Sequence, residues 1–295
     1  MMKTYGVFPA AAGLGGALAF ILRLLQNRTG FEATTGLPIV GNVPGLLLIL
    51  WLVLAAGALF VLSRKLPLAG GSPAFPDSFS TSNTTLLFLP VIGVFLVALS
   101  GLADLYEGLS GNRLLAQMKA AADPYSAEIA DAADGFFSTS QIILALASVL
   151  IAGALFLVVL SCREGGKRSE ENPLSEFSDL FLLVPPVALV IRLVLTYRLD
   201  SINPSLEAYY VELLALVFLT LAFFQLSSFA FQAGNSSRFA FCSGLAAVFS
   251  LSALADDGPH LSSLLLYAGS ALILMGFLLL HLSQPESTIS DCEEA

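Results

Sequence analysis

The sequence predicts an all-α, polytopic integral membrane protein of about eight transmembrane helices, and three observations lead there. Hydrophobic residues make up 56% of the 295-residue chain and charged residues only 12%, against roughly 45–50% and roughly 25% in an ordinary soluble domain. Mean hydropathy is +0.83, more apolar surface than a soluble globule of this size has interior to hide. The apolar residues fall in long runs such as Gln141–Leu160, which lack the alternation of barrel strands. Within lipid the backbone must satisfy its own hydrogen bonds, so these runs are read as helices.

Gaps between charges set the elements in order. Span 1, about Tyr5–Leu25, follows Lys3 and carries Gly13, Gly15, Gly16 and Ala17, small residues suited to close helix packing. Ala17-Leu18-Ala19 resembles a signal-peptide cleavage site, but the apolar run continues past it, which favours a spanning helix. Thr29–Pro44, with Gly30, Gly36, Pro38 and Gly41, reads as a turn-rich connection. Span 2, about Val43–Ser63, lies in a stretch without charge. Span 3 covers about Thr84–Ala103 and span 4 about Ser140–Cys162. Between them Tyr106–Phe137 is the longest connection, and its Asp123-Pro124 pair reads as a helix start.

Span 5, about Phe177–Tyr197, contains Arg192 and an interrupting Pro185-Pro186 pair. Span 6 covers about Leu206–Phe229, with Tyr209 and Tyr210 placed in the interfacial aromatic belt. Span 7, about Phe239–Ala255, is short, and span 8 covers about Leu261–Leu282, with His281 as a boundary residue. The chain thus divides into a four-helix half at 1–162, including an acidic outer loop at 106–137, a linker at 163–176, a second half at 177–282, and an acidic, disordered tail at 283–295.

Orientation follows from the basic residues of the connections. With the N-terminus inside, Lys3, Arg64, Lys65, Arg163, Lys167, Arg168 and Arg238 are cytoplasmic, and Arg28, Arg113, Lys119 and Arg198 are external. This bias places both termini in the cytoplasm and the protein in the plasma membrane. The halves also resemble each other. Leu99-Ser100-Gly101-Leu102-Ala103-Asp104 ends span 3, and Leu251-Ser252-Ala253-Leu254-Ala255-Asp256 ends span 7. Arg23 and Arg192 sit alike near the outer ends of spans 1 and 5. A tandem four-plus-four repeat, related by an axis along the membrane normal, is expected.

Charges inside spans are costly and need partners or water. Here they collect toward the outer leaflet, and the candidate ligand-binding residues are Arg192, Glu212, Arg23, Asp104, Asp256 and His260. Arg192 precedes Arg198 by six residues and Glu212 follows Leu206 by six, so each lies roughly 9 Å in from that end. A meeting of Arg192 with Glu212, and of Arg23 with Asp104, is expected. Arg192 would receive an anionic group through its planar fork, and Glu212 would carry a coupling proton.

The three cysteines are far apart, and the two histidines cannot alone build a metal centre. No P-loop, zincin or nucleophile-elbow motif occurs. No catalytic residue, metal or cofactor is therefore assigned. A net charge of −9 argues against nucleic acid as a partner. The sequence points to a small-molecule permease or binding protein with an outward-facing polar cavity. The alternative is a non-catalytic membrane subunit or scaffold, with structural ion pairs and a protein partner on the acidic outer loop.

Overall fold

A computed structural model of the chain describes residues 6–32, 37–39, 41–66, 75, 79, 81, 84–120, 124–163, 180–200, 206–256 and 261–283, with the backbone alone described over 110–138. Eight helices fill most of these residues: α1 (Val7–Thr29), α2 (Val43–Lys65), α3 (Thr84–Ala120), α4 (Pro124–Arg163), α5 (Val184–Asp200), α6 (Leu206–Ser228), α7 (Ser236–Ala253) and α8 (Leu261–Leu282). Six of them, all but α5 and α7, contain stretches long and apolar enough to cross a bilayer. The chain is an all-helical protein of the polytopic membrane class.

The two exceptions have local causes. Helix α7 carries Arg238 and five serines in 18 residues. It packs against α1, α2, α6 and α8 and buries twelve of those 18, so its outer surface is mostly protein rather than lipid. Helix α5 has only 17 residues and holds Arg192. Its Val187, Val190, Ile191 and Val194 are exposed on one stripe, the spacing of a single helix face. The same pattern on α1, at Leu14, Leu18, Ile21 and Leu25, marks apolar surface that only lipid or another apolar body can cover.

Neighbouring helices run up and down. Gly101 faces Ser148 and Gly108 faces Gln141, which makes α3 and α4 antiparallel. Gly93 faces Gly269 and Gly276 faces Pro90, which makes α3 and α8 antiparallel. Helices α1 and α7 run parallel, with Phe8 against Gly244 and Gly16 against Leu251. Of the small residues of span 1, Gly15 and Gly16 thus form the packing face, whereas Gly13 and Ala17 are exposed. At the Thr84 end of α3, Phe79 inserts from the α2–α3 connection and is fully buried. The rings of Phe75, Phe229, Phe239, Phe277 and His281 surround it at centroid distances of 5.3–5.9 Å.

Three expectations change. The outer segment 106–137, expected to hold a solvated acidic helix starting near Pro124, is helical to Ala120 as well as from Pro124, so that the continuation of α3 is the part not foreseen. The chain stays helical because alanines and other good helix formers dominate there. Helices α3 and α4 therefore run past their apolar stretches by roughly 16 and 22 Å. Span 5 is not continuous from Phe177: residues 180–181 are helical, Leu182 and Leu183 form a turn, and the long helix starts only at Val184. The break falls directly before Pro185-Pro186, as expected, and both prolines sit in the first turn of α5, where their missing N–H groups are not needed. Span 1 extends beyond Leu25 to Thr29. The linker from 164, Asp257, His260 and the tail from 284 lie outside the described residues.

Candidate functional site: a buried polar layer

Helices α1, α3, α5, α6 and α8, with the segment after α7, bring polar side chains to one end of the bundle. Arg23, on the face of α1 opposite its exposed leucines, is 1% exposed and pairs through Nε with Asp256, just beyond α7. Its Nη1 donates to Gln26 Oε1 at 2.9 Å, one turn along. The guanidinium also lies over the Tyr210 ring, 5.4 Å from its centroid. Asn27 Nδ2 donates to the Ala255 carbonyl at 2.8 Å, which fixes the end of α7 against α1.

Arg192 makes the second ion pair. Its Nη1 donates to Asp104 Oδ2 at 2.8 Å and to Ser148 Oγ at 3.0 Å. Arg192 is 2% exposed and Asp104 1%, so this contact ties α5, α3 and α4 together out of solvent. Arg192 Nε meets no acceptor among the described residues. Nearby, the Tyr267 hydroxyl of α8 donates to Glu212 Oε1 of α6 at 2.8 Å.

The expected charge cluster at one end is therefore present, but its pairing differs. Arg192 does not pair with Glu212, and Arg23 does not pair with Asp104. Each arginine takes an aspartate from the other half of the chain, and Glu212 takes a tyrosine. Sequence neighbours in a helical hairpin lie side by side, and Arg192 and Glu212 both act on Tyr267, yet they do not pair. The face of α5 opposite its lipid stripe meets α3 and α4, and the inner face of α1 meets α7.

The groups nonetheless act on one another. Burial is the main cause that lifts the Asp256 carboxyl from 3.8 to about 6; Arg23 pulls it down, and the charge of Glu212 adds to the rise. Desolvation disfavours the charged form, and a like charge does the same. Asp256 Oδ2 is buried without a hydrogen-bond donor among the described residues.

A pocket of ≈ 280 Å³ opens beside this layer, lined by Gln26, Ile39, Asn42, Gly45, Leu46 and Tyr210 among others. Gln26 and Tyr210 thus face the pocket and also touch Arg23. Sequence reading missed Gln26, Tyr267 and Ser148 as members of the layer. The three-residue spacing of Gln26 from Arg23 was the available signal, since such pairs share a helix face. No group of metal-binding side chains occurs among the described residues. No protein-family model matches the chain, and no curated protein and no solved structure matches it.

Proposed function

We propose that the chain is a small-anion permease or binding protein whose ligand docks in the pocket beside Arg23 and whose occupancy is linked to protonation of Asp256. One observation carries this reading: the pocket wall, Gln26 and Tyr210, is in direct contact with the Arg23 guanidinium. A carboxylate or phosphate in the pocket would compete with Asp256 for Arg23. Protonation of Asp256 removes that competitor, so anion binding tightens as pH falls through the transition near 6. The groups that face Asp256 are Arg23 and Asn27 of α1 and Glu212 of α6, with Tyr267 of α8 also within electrostatic reach. Glu212 sets the charge balance of the layer, and the Arg192–Asp104 pair holds the α3–α4–α5 wall.

The excess of basic residues on the opposite side supports a mouth that faces outward, with both termini in the cytoplasm of a plasma-membrane protein. The reciprocal pairing supports a four-plus-four repeat. Asp104 of α3 pairs with Arg192 of α5, and its sequence counterpart Asp256 pairs with the counterpart Arg23 of α1.

A thermal-shift screen of purified protein against small carboxylates and phosphate, below and above the Asp256 transition, tests the reading. A ligand at a hundredfold excess over its Kd stabilises by about 2.7 kcal/mol. The wild type should respond more strongly at the lower pH, Asp256→Asn should respond equally at both, and Arg23→Gln with Asp256→Asn should not respond. Absence of any anion response in a folded, monodisperse sample would overturn it. The second reading, a non-catalytic membrane subunit, is favoured by the full burial of the Arg192–Asp104 pair, neither residue of which lines the pocket beside Arg23. Its partner surface would be the α3–α4 hairpin, whose 106–137 segment has five acidic and two basic residues.

A further inference from the structure

On the opposite half of the molecule a second pocket, ≈ 270 Å³, runs along the seam of α1, α2 and α7. Ala11, Gly15 and Leu18 of α1 form one wall, and Trp51, Ala58 and Leu62 of α2 form the other. The one polar side-chain group among these residues, Trp51 Nε1, is committed to the Gly15 carbonyl at 2.9 Å. Small residues leave the hollow open, and exposed leucines at 14, 50 and 54 flank it. It therefore opens onto apolar surface continuous with the lipid-facing stripes of α1 and α2.

Its length and its basic end identify the occupant. From Trp51 to Leu62 the groove runs roughly 17 Å along α2, close to the half-thickness of a hydrocarbon core of about 30 Å. It therefore spans one leaflet. Directly beyond Leu62, α2 ends in Arg64 and Lys65, both exposed. Arg64 is held over the Phe60 ring, 4.5 Å from its centroid, on the face of α2 turned away from the groove, whereas Lys65 lies round the helix toward the groove side. We propose that this groove binds one acyl chain of an anionic phospholipid, with its phosphate held by Lys65. A second copy of the chain fits less well, because a parallel dimer on this face would bring the two basic ends together.

Native mass spectrometry of the full-length, detergent-purified protein tests this, with phosphatidylglycerol and phosphatidylcholine vesicle lipids added at equal mole fraction. The wild type should retain one phosphatidylglycerol in preference to phosphatidylcholine. Lys65→Gln should reduce that preference by roughly fivefold, since one basic group near a lipid surface contributes about that much, and Arg64→Gln, on the other face of α2, should leave it unchanged. Ala58→Phe fills the groove from an exposed position and should remove the adduct while leaving helicity and monodispersity unchanged. Equal retention of both lipids, or an adduct that survives Ala58→Phe, would overturn the proposal. Dimers that Ala58→Phe dissociates would overturn it in favour of a second copy.

Discussion

Replacing Asp104 by leucine removes the carboxylate from Arg192 and leaves a guanidinium 2% exposed with Ser148 Oγ as its one remaining acceptor among the described residues. The charge centres of such a pair lie about 4 Å apart, worth about 4 kcal/mol at an effective dielectric near 20. Breaking a buried pair from one side costs about 3–5 kcal/mol, because the surviving charge stays desolvated. Asp104→Leu should therefore lower the unfolding free energy by that amount, read by far-UV circular dichroism during SDS titration from mixed micelles. Adding Arg192→Leu should restore stability to within about 1 kcal/mol of wild type, since an apolar pair of similar size fills the site at little cost. Glu212→Leu should not rescue Arg192→Leu, because Glu212 bonds Tyr267 instead. A cost below about 0.5 kcal/mol for Asp104→Leu, within the range of an ordinary surface change, would refute the reasoning. A rescue by Glu212→Leu would do the same.

Four further outcomes follow from the packing and the titration. An added Cβ at Gly93 would sit 2.6 Å from the Gly269 carbonyl oxygen and at Gly269 2.7 Å from the Gly93 oxygen, so either alanine substitution should force α3 from α8 and cost about 1–3 kcal/mol in the same titration. Gly153→Ala meets nothing within 4 Å and should be neutral or stabilising by up to about 1 kcal/mol, as expected of an open helical glycine. Because the Asp256 carboxyl is raised in the folded protein from 3.8 to about 6, its contribution to stability is fully present below the unfolded value and is lost as pH rises through 6. Wild-type stability should thus decline between those values by on the order of 3 kcal/mol, and Asp256→Asn should remove that slope from the pH–stability curve. Phe79→Ala deletes a fully buried ring surrounded by five others and should cost about 3–5 kcal/mol, seen as a lower melting temperature in detergent.

What could be read without coordinates depends on how local its cause is. The helices are local: apolar runs bounded by charges gave α2 and α8 close to their observed limits, because lipid leaves no other way to satisfy a backbone. The helical hairpin at 106–137 was legible only in part. Asp123-Pro124 announced its second helix, while the polar composition of the flanks hid that α3 and α4 continue past their apolar stretches. The gathering of charges at one end was also legible, since alternating direction fixes which helix ends share a side. Their partners were not. Pairing Arg192 with Glu212 assumed that a short connection makes two side chains neighbours, but a helix presents a buried charge on one face only, and the lipid stripe decides which. On α5 the exposed Val187, Val190, Ile191 and Val194 turn Arg192 away from lipid and toward Asp104 and Ser148. On α1 the exposed Leu14, Leu18, Ile21 and Leu25 turn Arg23 inward to Asp256. Both apolar stripes are written in the sequence at helical spacing. Used as a filter on facing direction, they exclude a lipid-side partner for either arginine before any coordinates are consulted. The matched Leu-Ser-x-Leu-Ala-Asp segments then supply the two aspartates, one for each arginine, exchanged between the halves.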